Sequence, residues 1–366
     1  MVAFFKSSIL VALLAAVANA TPIEKRHDKF ISHKLQASEI HGIDKRADSI
    51  DFDADYRYFT ELEVGSNKEK VKVMIDTGSW RLNMPGPGAT CINHQSCPAD
   101  SVFHADESTT FHNSSRKYVS TYGSGEHKME GFTVYDDIFF DNGDEIPQFE
   151  FEVSSYTDFE MGWFGIRYYS QPNASYVVAA KNAGLVNHAG FSLYLDENDT
   201  TGTLLVGAVD KAKYEGELAF FDTEYFITGK SVTIGNGTEI PLVNQMGIDS
   251  GDPRLSLDQN IVDAVRSEVG VDKNGNVPCD SVSNKTFSLN FGQVTIDIPY
   301  SSIFTKTKTP NVCHGQIENT STTGNRQYLG IPFVKQVYVT QNFDTKKLGL
   351  APVKHTDESN IVDYWF

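Results

Sequence analysis

Cysteine, positive charge, helical periodicity and long apolar runs are all scarce in this 366-residue chain, and each shortage excludes something. The four cysteines form no C-x-x-C pair and no H-E-x-x-H occurs, so no zinc centre is indicated. Lys and Arg number 31 against 48 Asp and Glu, a formal charge of −17, which argues against nucleic acid or an anionic membrane as the main partner. After the first twenty residues no apolar stretch reaches bilayer-spanning length, and no hydrophobic tail closes the chain at Val362-Asp363-Tyr364-Trp365-Phe366. Low-complexity tracts and short-period repeats are missing too. What is abundant is Phe (24), Tyr (16) and Gly (28), which tilts the chain toward β structure. The length suits two domains, or one enzyme built of two lobes.

The N-terminus sets the compartment. Lys6, the apolar run Ile9 to Val17 and the small-residue pattern Ala18-Asn19-Ala20 read as a signal peptide over residues 1–20. Export, an extracellular location and a soluble mature protein are therefore expected. Two dibasic pairs follow, Lys25-Arg26 and Lys45-Arg46, and either suits a processing protease. Cleavage after the second would start the mature chain at Ala47 and make 21–46 a pro-peptide. That segment is net positive ahead of an acidic body; losing residues 1–46 takes the formal charge from −17 to −20. In an exported chain four cysteines suggest two disulfides, and of three pairings the local one, Cys91–Cys97 with Cys279–Cys313, is the most economical. Sequons at Asn113, Asn173, Asn198, Asn236, Asn284 and Asn319 suit a glycoprotein.

Period-2 alternation separated by turns dominates the rest. Val71, Val73 and Ile75 alternate with Lys72 and Met74; Phe287, Leu289 and Phe291 run up to Gly292, and Val294, Ile296 and Ile298 return, which predicts a hairpin. The clearest helix starts at Asp258, with a short stripe of Ile261, Val262 and Val265.

One long-range echo carries chemistry. Asp76-Thr77-Gly78-Ser79 follows the strand ending at Ile75, and Asp249-Ser250-Gly251 follows Gly247-Ile248, 173 residues on. One such tripeptide is an ordinary turn. Two, each after an apolar segment and one in each half, suggest paired carboxylates. Carboxylates about 3 Å apart cannot both ionise, so they share a proton. The ionised one can take a proton from water while its partner hydrogen-bonds a scissile carbonyl, without metal, cofactor or covalent intermediate. Thr77 and Ser250 are placed to cross-link the two loops, and the glycines permit close backbone approach.

On these residues the chain resembles a pepsin-family aspartic endopeptidase, and within the family the secreted aspartic proteases of yeasts. The likeness runs from about Tyr58 to Val353. Tyr122-Gly123-Ser124-Gly125 resembles the flap hairpin whose Tyr closes over substrate. Trp163-Phe164-Gly165 and Tyr328-Leu329-Gly330 resemble the hydrophobic-hydrophobic-Gly strands beside each acidic loop. Phe191 to Leu195, Gly202 to Gly207 and Asp210 to Tyr214 resemble the end of the first lobe, and Leu348 to Ala351 the closing strand. The cysteine spacing is similar as well. The resemblance implies a mostly β, bilobal acid-protease fold, with lobes of 47–218 and 219–366 and an active-site cleft between them. It implies Asp76 and Asp249 as the catalytic pair, supported by Thr77, Ser79 and Ser250. Substrate contacts fall to Gly78, Tyr122, Gly123, Ser124, Gly251 and Asp252. The implied partners are protein or peptide substrates preferring apolar side chains at the cut, and the chain's own pro-peptide in a zymogen; a monomer is expected. In the family a pro-segment lysine often reaches the dyad, a part that falls here to Lys34 or Lys29.

Three positions depart from the pattern. Asp252 replaces the usual Thr or Ser after the second tripeptide; it either repels the pair or, protonated, donates to it, which predicts activity confined to low pH, or none. On that basis Asp252→Thr is expected to extend activity toward neutral pH. Asn83 stands where a Trp usually supports the flap Tyr, with Trp80 three residues early, so Tyr122 loses apolar support. Ile331-Pro332 follows Gly330 where Asp or Asn is usual, a change with a structural effect. An acid endopeptidase is the leading reading, a catalytically silent homologue that binds peptide or protein in the same cleft the alternative. A retaining glycosidase has only the carboxylate pair in its favour.

Overall fold

A computed structural model describes residues 29–39, 56–123, 125, 127–140, 143–171, 173–196, 200–323 and 326–366. The signal peptide, both dibasic pairs, Ser124 and the sequon at Asn198 lie outside them. Strands dominate, as composition suggests, and they form a bilobal pepsin-like fold.

The largest sheet has thirteen strands and joins the two halves. At its centre the strand Ile31–Glu39 lies antiparallel between Thr201–Val206 and Tyr56–Val64. From the other half, Val337–Asn342 pairs with Gly190–Leu195, so the C-terminal strands continue the same sheet. Alternation decides what each face does. In Glu69–Asp76, the side chains of Val71, Val73 and Ile75 enter the main core, while Met74 points to the opposite face and a second aromatic cluster. Asp76, two residues past Met74, shares that second face.

Each half repeats one arrangement around its acidic turn. The strand ending at Asp76 runs parallel to Gly162–Gly165, which runs antiparallel to Leu82–Thr90, itself parallel to Glu145–Thr157. The strand Gln245–Ile248 likewise runs parallel to Gln327–Leu329, which is antiparallel to Leu255–Leu257, itself parallel to Ile317–Asn319. Close approach requires glycine here. A Cβ at Gly165 would strike the backbone of Trp80 and Arg81, and one at Gly330 the carbonyls of Asp252 and Arg254.

The expected hairpin forms as Thr286–Asn290 against Thr295–Pro299, and the expected helix as Gln259–Val269, with Ile261, Val262 and Val265 fully buried. That helix ends at Gly270 in the left-handed region. Both local disulfides, Cys91–Cys97 and Cys279–Cys313, are formed. Ile331-Pro332 opens a short helix, Ile331–Val334, where a proline at the first turn forfeits no bond. The Ile331 N–H is tied to the Asp252 carbonyl at 2.8 Å.

Candidate active site

The two acidic turns meet between the lobes, and the smallest side chains permit it. A Cβ at Gly78 would collide with the Asp249 carboxyl, and one at Gly251 would lie 2.7 Å from Asp76 Oδ1. Beneath them the turns are cross-linked reciprocally. The Thr77 N–H donates to Ser250 Oγ at 3.1 Å and the Ser250 N–H to Thr77 Oγ1 at 2.8 Å. Each hydroxyl then donates back across the interface, Thr77 Oγ1 to the Ile248 carbonyl at 2.8 Å and Ser250 Oγ to the Ile75 carbonyl at 3.0 Å. These four bonds are buried, so each group is satisfied only while both turns hold this geometry.

The carboxyls of Asp76 and Asp249 are hydrogen-bonded to one another, and their surroundings differ. Asp76 accepts from the Gly78 N–H at 2.7 Å and from the Ser79 hydroxyl. Burial raises its proton affinity, and the donors from Ser79, Asp249 and Gly78 oppose that rise. Asp249 accepts from the Gly251 N–H at 2.9 Å. Burial, the charge of Asp76 and then the charge of Asp252 all raise it, well above the usual carboxylate range. Both carboxyls are raised and Asp249 the more strongly, so the pair favours a single shared proton held more readily by Asp249.

Asp252 does not imitate the missing hydroxyl. Its Oδ1 accepts from the Arg254 N–H at 3.0 Å and from Arg254 Nε at 3.4 Å. Arg254 in turn reaches Glu318 at 2.8 Å, and Ser256 Oγ donates to both carboxylates, at 3.5 and 3.3 Å. Asp252 thus belongs to an ion-paired network beside the pair and acts on Asp249 through its charge. That charge raises the proton affinity of Asp249, which extends the singly protonated state of the pair upward in pH.

The segment expected as the flap forms a hairpin of His112–Tyr122 and His127–Phe139, with Gly123 and Gly125 in the left-handed region at its tip. Tyr122 stacks on Trp163 at 5.3 Å between centroids and meets Phe159 edge-on at 5.4 Å. The expected loss of apolar support is corrected here: Trp163 and Phe159 supply it. Asn83, fully buried, donates instead to the Tyr118 hydroxyl and accepts from Ser154 Oγ at 2.6 Å. Trp80 stacks on Tyr169 at 3.5 Å between centroids, and the Arg81 guanidinium lies over the Trp80 ring at 4.1 Å. Lys29 and Lys34 are not partners of the pair: Lys29 Nζ donates to the Gly184 carbonyl at 2.9 Å, and Lys34 is exposed opposite Thr203.

Sequence reading missed three residues around this cleft. Glu152 is buried against Arg81 at 2.8 Å, and burial pushes it up to about 7 despite that ion pair. Arg57 donates to the Gly251 carbonyl at 2.5 Å. Trp163, which the sequence offers only as part of a strand pattern, stacks under Tyr122. Alternation puts Arg57 on the face of Phe59, but its partner Gly251 lies 194 residues away. Among the described residues, no group of His, Cys, Asp and Glu is arranged to hold a metal.

Paired carboxyls of unequal proton affinity, cross-linked turns and a covering hairpin define a peptide hydrolase of the aspartic type. The comparison with known proteins specifies the group: residues 57–353 match the eukaryotic aspartyl protease family, and the chain belongs to it. It is similar to candidapepsin-1 of Candida albicans strain WO-1, 30% identical across 83% of each chain. It is also similar to secreted aspartic protease 5 of Candida albicans, 27% identical over 83% of this chain and 78% of that one. The chain is an aspartic-type endopeptidase.

Proposed function

We propose that the protein is a secreted endopeptidase that hydrolyses protein substrates at acid pH through Asp76 and Asp249. The observation that carries this reading is the carboxyl pair itself, bonded across two cross-linked turns with the proton favoured on Asp249. Asp76 takes a proton from water as the oxygen attacks the scissile carbonyl carbon. Asp249 donates its proton to the carbonyl oxygen, giving a tetrahedral diol. Collapse restores the carbonyl, breaks the C–N bond and delivers a proton to the leaving nitrogen, after which the pair holds one proton again. Gly78, Gly251, Tyr122, Gly123 and Asp252 surround the extended peptide, Tyr122 from above on its Trp163 platform.

Export is supported by the N-terminal pattern and by relatives that are themselves named secreted aspartic proteases. Activation is by loss of a pro-segment, and the sheet favours the first dibasic pair as the cut. Ile31–Glu39 fills a central position, with Leu35 and His33 buried and His33 Nε2 2.9 Å from the Tyr176 hydroxyl. Cleavage after Arg46 would remove that strand from between Thr201–Val206 and Tyr56–Val64. The mature protein is read as a monomer.

Asp252 is the feature that favours the silent alternative, because the position usually carries a donor to the second carboxylate. The test is cleavage of an unfolded protein at about pH 4, with and without a pepstatin-type inhibitor. Inhibitable cleavage supports the enzyme; folded, processed protein that binds the inhibitor and cuts nothing supports the silent cleft.

A further inference from the structure

Among the described residues, one cation beside the cleft, Arg57, is ion-paired with no carboxylate. Arg57 precedes Phe59 by two residues on Tyr56–Val64, so alternation puts it on the same face, and Phe59 is registered opposite Met74 two residues before Asp76. The guanidinium therefore extends along the cleft beside the carboxyl pair. Its Nη1 donates to the Gly251 carbonyl at 2.5 Å and lies 4.0 Å from Met74 Sδ. Among the described residues no carboxylate is ion-paired with it, and its buried Nε has no hydrogen-bond partner. Trp163 repeats the pattern on the same wall: it is 5% exposed, its ring lies 2.7 Å from where a Gly251 Cβ would be, and its buried Nε1 is also unpartnered. Buried N–H donors without acceptors are costly, and a guanidinium has five donors in a planar fork matched to a carboxylate. In a protein of formal charge −17, a cation aimed into the cleft is a departure that calls for an acceptor.

We propose that Arg57 is a specificity-determining residue that pairs with an acidic side chain of the substrate, a few residues from the scissile bond. This rests on the endopeptidase reading and adds the substrate class. The Gly251 carbonyl holds the guanidinium in place through Nη1, and the Nη groups not bound there are the donors offered to the substrate. Apolar residues at the cut itself are compatible with this, because Met74, Phe159 and Trp163 line the space under the flap.

The test uses processed full-length protein and peptide pools that vary one position at a time on both sides of one cut. The assay is run near pH 5, where peptide carboxyls are ionised. The expected result is one position at which Glu or Asp raises kcat/KM about tenfold over Gln or Asn. Arg57→Gln should remove that preference and Arg57→Glu should turn it toward Lys or Arg. Thermal melts of both variants, and their rates on the peptide with Gln at that position, separate lost preference from lost fold. If wild-type enzyme cuts the pools with no acidic preference, or both variants keep it, the assignment is overturned while the endopeptidase reading stands. Absence of all cleavage by wild type removes that reading, and this inference with it.

Discussion

Asp252 is where a single side chain sets the pH behaviour, and the sign follows from its charge. The active form has one proton on the pair. Asp252 raises Asp249, so it delays loss of that proton as pH rises. Asp252→Thr should therefore move the alkaline limb of the kcat/KM profile down rather than toward neutrality. Asp252→Asn should do the same, and an alkaline limb that stays put or climbs in both would contradict the role. Ser79 works on the other carboxyl. Its hydroxyl lowers Asp76, so Ser79→Ala should raise the acid limb and cut kcat several-fold.

At the scale of elements, the two acidic turns behave as one unit. Thr77→Val preserves shape but leaves the buried Ser250 N–H without its acceptor, and should cost about 1–3 kcal/mol, seen as a lower melting temperature. A stability unchanged by Thr77→Val would mean the cross-links are incidental. The strand Ile31–Glu39 makes a different prediction: Lys45→Ala with Arg46→Ala should leave an active enzyme of unchanged mass, whereas Lys25→Ala with Arg26→Ala should retain the pro-segment. An active mature protein whose intact mass starts at Ala47, with no retained fragment, would exclude this. Much of the element plan was legible because period-2 alternation and turn chemistry are local signals. The hairpin Thr286–Asn290 with Thr295–Pro299, the Asp258 helix and the repeated acidic turns all announce themselves this way. What was not legible depends on register between distant strands. Asn83 meets Tyr118 rather than Tyr122, Trp163 comes under the flap, and Arg57 comes to Gly251 across 194 residues, pairings that no local pattern encodes.

Across the whole molecule, buried titratable groups tie stability to pH in opposite senses. Glu152 is buried and pushed up to about 7, above its unfolded value of about 4.5. Its contribution is fully present below the unfolded value and lost as pH rises through about 7; the loss is of order 3 kcal/mol. Asp76 and Asp249, both raised, act in the same direction. His33 is pushed down to about 4 by burial, so its contribution is present above the unfolded value and lost as pH falls through about 4. Glu152→Gln should accordingly raise the melting temperature at pH 7.5 relative to wild type and change it little near pH 4. Equal shifts at both pH values would show that Glu152 is not the titrating group.

The account turns on the paired carboxyls acting together. The most direct measurement is peptide cleavage by purified, processed protein from pH 2 to 7, with Asp76→Asn and Asp249→Asn beside it. Both variants should fold, melt within a few degrees of wild type and lose at least about a thousandfold in kcat. Wild type should show a bell-shaped profile centred in the acid range. Cleavage that survives either substitution with an unchanged pH profile would contradict the shared-proton mechanism.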